Sequence, residues 1–276
     1  YRWNIQDRSS LSMLVHARQY GRNTFTHVEN LKKELFNLNN VFILLLPSWE
    51  VIMRRFTARG DEIQNLASLK NVYDLFQEAA DDLSSYPNFV VIKEEIDDTL
   101  ASFVTSTLKE YENATAEDLS KNCVAACQSN EDSECIGLNF TLFDNGSFDD
   151  IDQDALAYEP EVKYYQEILT KIDSKINKEI EGNNEYSRKE TQTSRRFIYT
   201  SDTCISLAHF LVRDEFLDCK FFLRSSNVKD TLYYDINFLK HLSFEVYKKL
   251  KANGRFCRMS FVINSGHILD IITSDT

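Results

Sequence analysis

Four kinds of side chain able to bind or attack a substrate lie close together between Thr193 and Asp235: the guanidinium pair Arg195-Arg196, the thiol of Cys204, Arg224 followed by Ser225, and the carboxyl of Asp235. An arginine grips a phosphate through two parallel N–H donors, and a cysteine whose thiolate form is favoured attacks an electron-poor carbon. The combination suits a phosphorylated substrate attacked through sulfur. A strand cysteine is also a common small buried hydrophobe, so both readings stand on residue types alone.

The elements that must carry these residues read as a strand hairpin. Ile198 to Arg213 and Phe216 to Leu223 are rich in β-branched and aromatic residues, with Arg213-Asp214-Glu215 as the turn. Beyond it, Ile236 to Ala252 reads as an amphipathic helix ended by Gly254, and Phe256 to Ile263 as a strand that delivers His267. Upstream, Ala116 to Gln128 and Tyr164 to Ile180 read as helices. The acidic, small-residue stretch Ser129 to Asp154 between them reads as a linker or mobile excursion.

Spacing adds a resemblance. Arg224-Ser225 follows Cys204 by twenty positions and Asp235 follows Arg224 by eleven, which resembles the catalytic core of thymidylate synthases and their phage relatives, the deoxycytidylate hydroxymethylases. Arg195-Arg196 resembles that family's Ser-Arg-Arg motif, and Ser265-Gly266-His267-Ile268-Leu269 resembles its Ala-His-Ile-Tyr segment. The resemblance implies an α+β domain over 191–276 and a homodimer through it, with the arginine pair reaching the partner subunit's nucleotide phosphate. It implies Cys204 as nucleophile and methylenetetrahydrofolate as one-carbon donor. Arg195, Arg196, His209, Arg224, Ser225, Asn227, Asp235 and His267 would be the contacts of a pyrimidine deoxynucleoside monophosphate. Asp235 stands where thymidylate synthases carry Asn, and an ionised carboxylate can only accept hydrogen bonds, so dCMP is expected over dUMP. The sequence departs from the family at Thr231-Leu232-Tyr233, where Gly-x-Pro is usual, and at Leu269, where Tyr is usual. The loop between Arg196 and Cys204 is shorter, and the upstream Glu and Trp that handle protons and folate have no counterpart.

The first part of the chain alternates differently. A helix capped by Ser9 or Ser10 runs to Tyr20 and a second spans Val28 to Leu38. Val41 to Leu46 is a continuous apolar run that predicts a strand buried on both faces. Helices over Trp49 to Arg59, ended by Gly60, and Asn65 to Leu83 precede a second such strand, Phe89 to Ile92, and a helix over Asp97 to Tyr111. This is the pattern of a doubly wound α/β domain with a parallel sheet. It resembles the C-terminal part of P-loop nucleoside-monophosphate kinases of the thymidylate kinase type. Asp7-Arg8 with Ser12 matches the acceptor-nucleotide motif, and Arg54, Arg55 and Arg59 match the lid arginines, which such enzymes use to steady the transferring phosphoryl group. No G-x-x-x-x-G-K-[ST] occurs and only seven glycines are present, so the backbone cradle for ATP phosphates is missing. The expectation is a piece of a longer polypeptide or a kinase remnant, with ATP and Mg²⁺ relevant only if a P-loop lies upstream of residue 1. The expected division is thus 1–115 kinase-like, 116–190 helical and acidic linker, and 191–276 synthase-like.

Length and charge bound the rest. A chain of 276 residues with 43% hydrophobic residues can build two modest cores, and a formal charge of −12 opposes a general grip on nucleic acid. Without a long apolar run or a signal-like N-terminus, a cytoplasmic protein that binds no membrane is expected. Cys123, Cys127 and Cys135 lack a nearby histidine and read as structural thiols rather than a metal site. Two rival readings remain: a catalytically degenerate nucleotide-binding or assembly module, and a nucleotide kinase whose C-terminal domain only dimerises.

Overall fold

The computed structural model describes residues 6, 9–60, 65–93, 99–130, 132–182, 197–213, 216–250 and 256–269. The pairs Asp7-Arg8 and Arg195-Arg196 lie outside them. The chain is a mixed α/β protein of two compact units, Tyr1–Tyr111 and Glu112–Thr276. No described helix is long and apolar enough to cross a membrane.

In the first unit, helices α1 (Ser10–Gln19) and α2 (Phe25–Leu35) precede strand β1 (Phe42–Leu45). Helices α3 (Trp49–Arg59) and α4 (Leu66–Leu83) then lead to β2 (Phe89–Ile92) and α5 (Thr99–Glu112). The two strands pair in parallel, Phe42 opposite Phe89, a geometry that requires a crossover, here supplied by α3 and α4. Leu11, Leu14 and Val15 of α1 are buried, as are Leu31 and Leu35 of α2. The Ser10 hydroxyl fastens α1 to Glu34 at 2.6 Å. Ser9 occupies the cap position without a side-chain cap bond, whereas Asn65 caps α4 by accepting from Ser68 N–H at 2.8 Å. Gly60 ends α3 with φ 68°, a left-handed turn that favours glycine. The expectation that β1 is buried on both faces does not hold: Phe42, Ile43 and Leu44 are half-buried and Leu45 is exposed, because β1 has a single described strand neighbour.

The second unit is built on a sheet ordered β3-β8-β6-β5-β4. Its strands are β3 (Glu134–Asp144), β4 (Ile198–Thr200), β5 (Ile205–Arg213), β6 (Phe216–Leu223), the short β7 (Ser226–Asn227) and β8 (Phe256–His267). The β6–β8 and β7–β8 pairs are parallel and the others antiparallel. Among the described residues its helices are α6 (Ala116–Gln128), α7 (Gln153–Leu156), α8 (Glu159–Gly182) and α9 (Leu232–Lys249). Phe140, Phe261, Phe221 and Phe210 form a buried aromatic row across β3, β8, β6 and β5, with successive centroids 4.7, 5.1 and 5.8 Å apart. On the opposite face of β6 and β8 lie the register partners Phe222 and Val262, both exposed, and the ion pair Arg258–Asp218 at 2.9 Å.

Two sequence expectations are corrected here. The stretch Ser129 to Asp154 is not a linker: Glu134–Asp144 is a strand at one end of the sheet, because Leu138, Phe140 and Leu142 alternate with Asn139 and Thr141 at the strand period of two. The elements between 116 and 182 therefore belong to the same compact unit as β4 to β8. The strand expected from Ile198 to Arg213 is broken into β4 and β5 by the polar turn Ser201-Asp202-Thr203-Cys204, which Ser201 N–H closes on Ser206 O at 3.0 Å.

Behind the sheet, the buried Lys240 of α9 bonds to Asp150 and lies 3.4 Å from Asp144. Asp144 also accepts from the N–H groups of Gly146 and Phe148, at 2.7 and 3.0 Å. The segment after β3 is thereby strapped to α9. Tyr233 donates to Asp152 at 2.6 Å and Tyr158 stacks on Tyr234 at 3.9 Å, extending the strap to the start of α8.

Candidate functional site

The polar turn that opens β5 and the residue that closes β6 are neighbours across the hairpin, since Ile205 pairs with Leu223. Arg224 N–H donates to Cys204 O at 2.8 Å and the Arg224 guanidinium donates to Asp202 O at 2.9 Å. Both Cys204 and Arg224 are exposed. The hairpin thus brings the main chains of Cys204 and Arg224, twenty positions apart in sequence, side by side.

Two tyrosines of α8 join this turn to Asp235. Tyr164 OH accepts from Ile205 N–H at 3.0 Å and lies 2.7 Å from Thr203 Oγ1. Burial pushes the Tyr164 phenol up to about 12, against the opposing effect of these bonds. Tyr165 donates to Asp235 Oδ1 at 2.9 Å and stacks on Phe238 at 4.1 Å. Asp235 lies in the first turn of α9, buried. Burial pushes its carboxyl up to about 7, the Tyr165 bond opposing and Glu161 adding to the rise. Burial and the neighbouring Asp235 push the Tyr165 phenol up in turn.

The remaining candidates group elsewhere. Asn227 and His267 are register partners on β7 and β8, and His267 O accepts from Val228 N–H at 2.9 Å. The Asn227 amide bonds to Asp230 at 2.8 Å and to Leu269 O at 3.5 Å, so it shapes the turn leading into α9. Ser225 is half-buried beside Ser226, whose hydroxyl is sealed without a partner among the described residues. His209 lies on β5 between Ile198 and Lys220, one residue from the buried Phe210 and so on the other side of the pleat. In the first unit Ser12 is half-buried on α1, and Arg54, Arg55 and Arg59 are exposed on α3.

Tyr164, Tyr165 and Glu161 were not singled out from the sequence. A signal existed: Tyr165, Ile168, Ile172 and Ile176 are buried at three- and four-residue steps, the stripe of a helix facing a core, and the tyrosine at its head is the one polar member. Cys123, Cys127 and Cys135 are buried, Cys127 donating to Gly266 O at 3.4 Å. No cluster of three or more metal-ligating side chains occurs among the described residues. A groove of about 670 Å³ between the C-terminal halves of α8 and α9 is lined by Ile172, Ile176, His241, Leu242, Val246 and Lys249. None of the candidate residues lines it.

No protein-family model matches the chain, and no curated protein matches it.

Proposed function

We propose that the second unit binds a pyrimidine deoxynucleoside monophosphate and acts on its C5 position, with dCMP preferred to dUMP and hydroxymethyl transfer preferred to methyl transfer. The first unit is read as kinase-like toward nucleoside monophosphates. The observation that carries the proposal is the main-chain bond from Arg224 N–H to Cys204 O, which sets two exposed residues, one bearing a thiol and one a guanidinium, at the same open end of one hairpin. Cys204 would add to C6 of the pyrimidine, which makes C5 nucleophilic, while Arg224 and Ser225 hold the phosphate and Asp235 meets the base. Association of two copies through the second unit belongs to the same reading.

Methylenetetrahydrofolate, which the resemblance implies, would supply the one-carbon unit, and no step is derived through it. The absent P-loop likewise leaves no phosphoryl-transfer step to derive. A binding or assembly module without catalysis is the second reading. It is favoured by the burial of Asp235 against Tyr165 and by the Arg224 bond to Asp202 O, both of which a ligand would have to accommodate.

Calorimetry with dCMP at pH 8 tests the binding. Arg224→Ala should weaken it about tenfold to a hundredfold, the value of a charge-assisted phosphate contact. Equal affinity in wild type and variant would remove Arg224 from the site.

A further inference from the structure

Of the two Asp235 carboxyl oxygens, Tyr165 takes one. Its hydroxyl donates to Oδ1 at 2.9 Å, and its ring is fixed by the stack on Phe238, nearly parallel at 5°. Oδ2 has no partner among the described residues, in a residue that is only 6% exposed, and it is the oxygen a ligand would meet.

Resting on the pyrimidine-nucleotide reading above, we propose that Tyr165 is a positioning residue that, by occupying Oδ1, makes a single proton on Oδ2 decide which base the site accepts. A bare Oδ2 only accepts and pairs with the amino group that cytosine carries at C4. A protonated Oδ2 donates and pairs with the oxygen that uracil carries there. The mismatched base leaves a buried polar group unpaired in either state, which is how a site built on hydrogen bonds discriminates.

The surroundings suit such a switch near neutral pH. Burial raises the Asp235 carboxyl to about 7. The groups bearing on it come from α8: Tyr165 bonded to it, Glu161 as a like charge and Tyr164 beyond. The other carboxylates bonded to α9 from neighbouring elements are engaged elsewhere along that helix, Asp152 by Tyr233, Asp144 and Asp150 by Lys240, and Asp173 by Lys249.

The test is paired calorimetry of dCMP and dUMP on the full chain from pH 6 to pH 8. The second ionisation of the nucleotide phosphate, near pH 6, is common to both ligands and cancels in the ratio of their dissociation constants. For one group titrating at about 7, dCMP should weaken about tenfold on going from pH 8 to pH 6 and dUMP should tighten about tenfold, a change of about a hundredfold in the ratio. Tyr165→Phe keeps the ring stack and removes the donor that favours the ionised carboxylate, so the midpoint of the ratio should move to higher pH. Asp235→Asn should make the ratio independent of pH. Binding of both nucleotides with a flat ratio in the wild type, or an unmoved midpoint in Tyr165→Phe, overturns this inference and leaves the nucleotide reading standing. Failure to bind either nucleotide at any pH overturns both.

Discussion

Asp235 is a carboxyl whose ionisation the fold opposes, and that has a consequence for stability apart from any ligand. Its folded value, about 7, lies above the value of about 3.9 for an unperturbed aspartate, so the folded state binds the proton more tightly than the unfolded one. The stability it contributes is complete below pH 4 and is lost as pH rises toward 7. Asp235→Asn removes the titration. Between pH 5 and pH 8 the wild type should lose roughly 2 to 3 kcal/mol relative to the variant, read from urea midpoints. Parallel curves for the two proteins would mean that the carboxyl is solvated. At this scale the sequence was partly legible. The spacing of Cys204, Arg224 and Asp235 identified residues that the hairpin and the α8 tyrosines connect. Tyr164 and Tyr165 were missed because a tyrosine at the head of an apolar stripe looks like core until its hydroxyl finds a partner.

Among the elements, the strap from β3 to α8 depends most on one buried charge. Lys240 is almost fully buried between Asp144 and Asp150, and a buried pair contributes little by itself but is costly to break. Lys240→Ala should destabilise the second unit by about 3 to 5 kcal/mol, leaving Asp144 buried without its cation. The double change Lys240→Met with Asp144→Asn should recover part of that loss. Urea unfolding measures both, and a loss under about 1 kcal/mol for the single change would show that water replaces the lysine. The strap was illegible in the sequence for a definite reason. Acidic and small residues dominate Ser129 to Asp154 and suggest solvation, while the alternation of Leu138, Phe140 and Leu142 inside it is short. The helices were easier, because a three- to four-residue period persists over several turns in α6, α8 and α9. The break between β4 and β5 is a matter of tertiary pairing: the residues on both sides favour strand, and only the folding of β4 back onto β5 requires the turn at 201–204.

At the scale of the whole molecule, two compact units were legible from the change in pattern between the parallel-sheet half and the hairpin half. The boundary between linker and sheet was not, since the elements between 116 and 182 belong to the second unit. Phe222 and Val262 stand together on the outer sheet face beside the Arg258–Asp218 pair, where a second copy of the proposed dimer would cover them. The protein should sediment as a dimer at micromolar concentration, and Phe222→Asp should shift it to monomer. A wild type that is strictly monomeric would count against association through this face.

Chemistry at C5 is most directly read by hydrogen exchange. When the Cys204 sulfur bonds to C6, C5 takes a deuteron from heavy water; loss of the original C5 proton and breakage of the S–C6 bond then return the base with deuterium at C5. No folate is needed for this step. The measurement is the H5 proton signal of dCMP in heavy water at pH 8. The expected result is loss of that signal with the wild type, faster than for dUMP, and its persistence with Cys204→Ser. A signal that persists with the wild type for both nucleotides, or an exchange undiminished in Cys204→Ser, would contradict it.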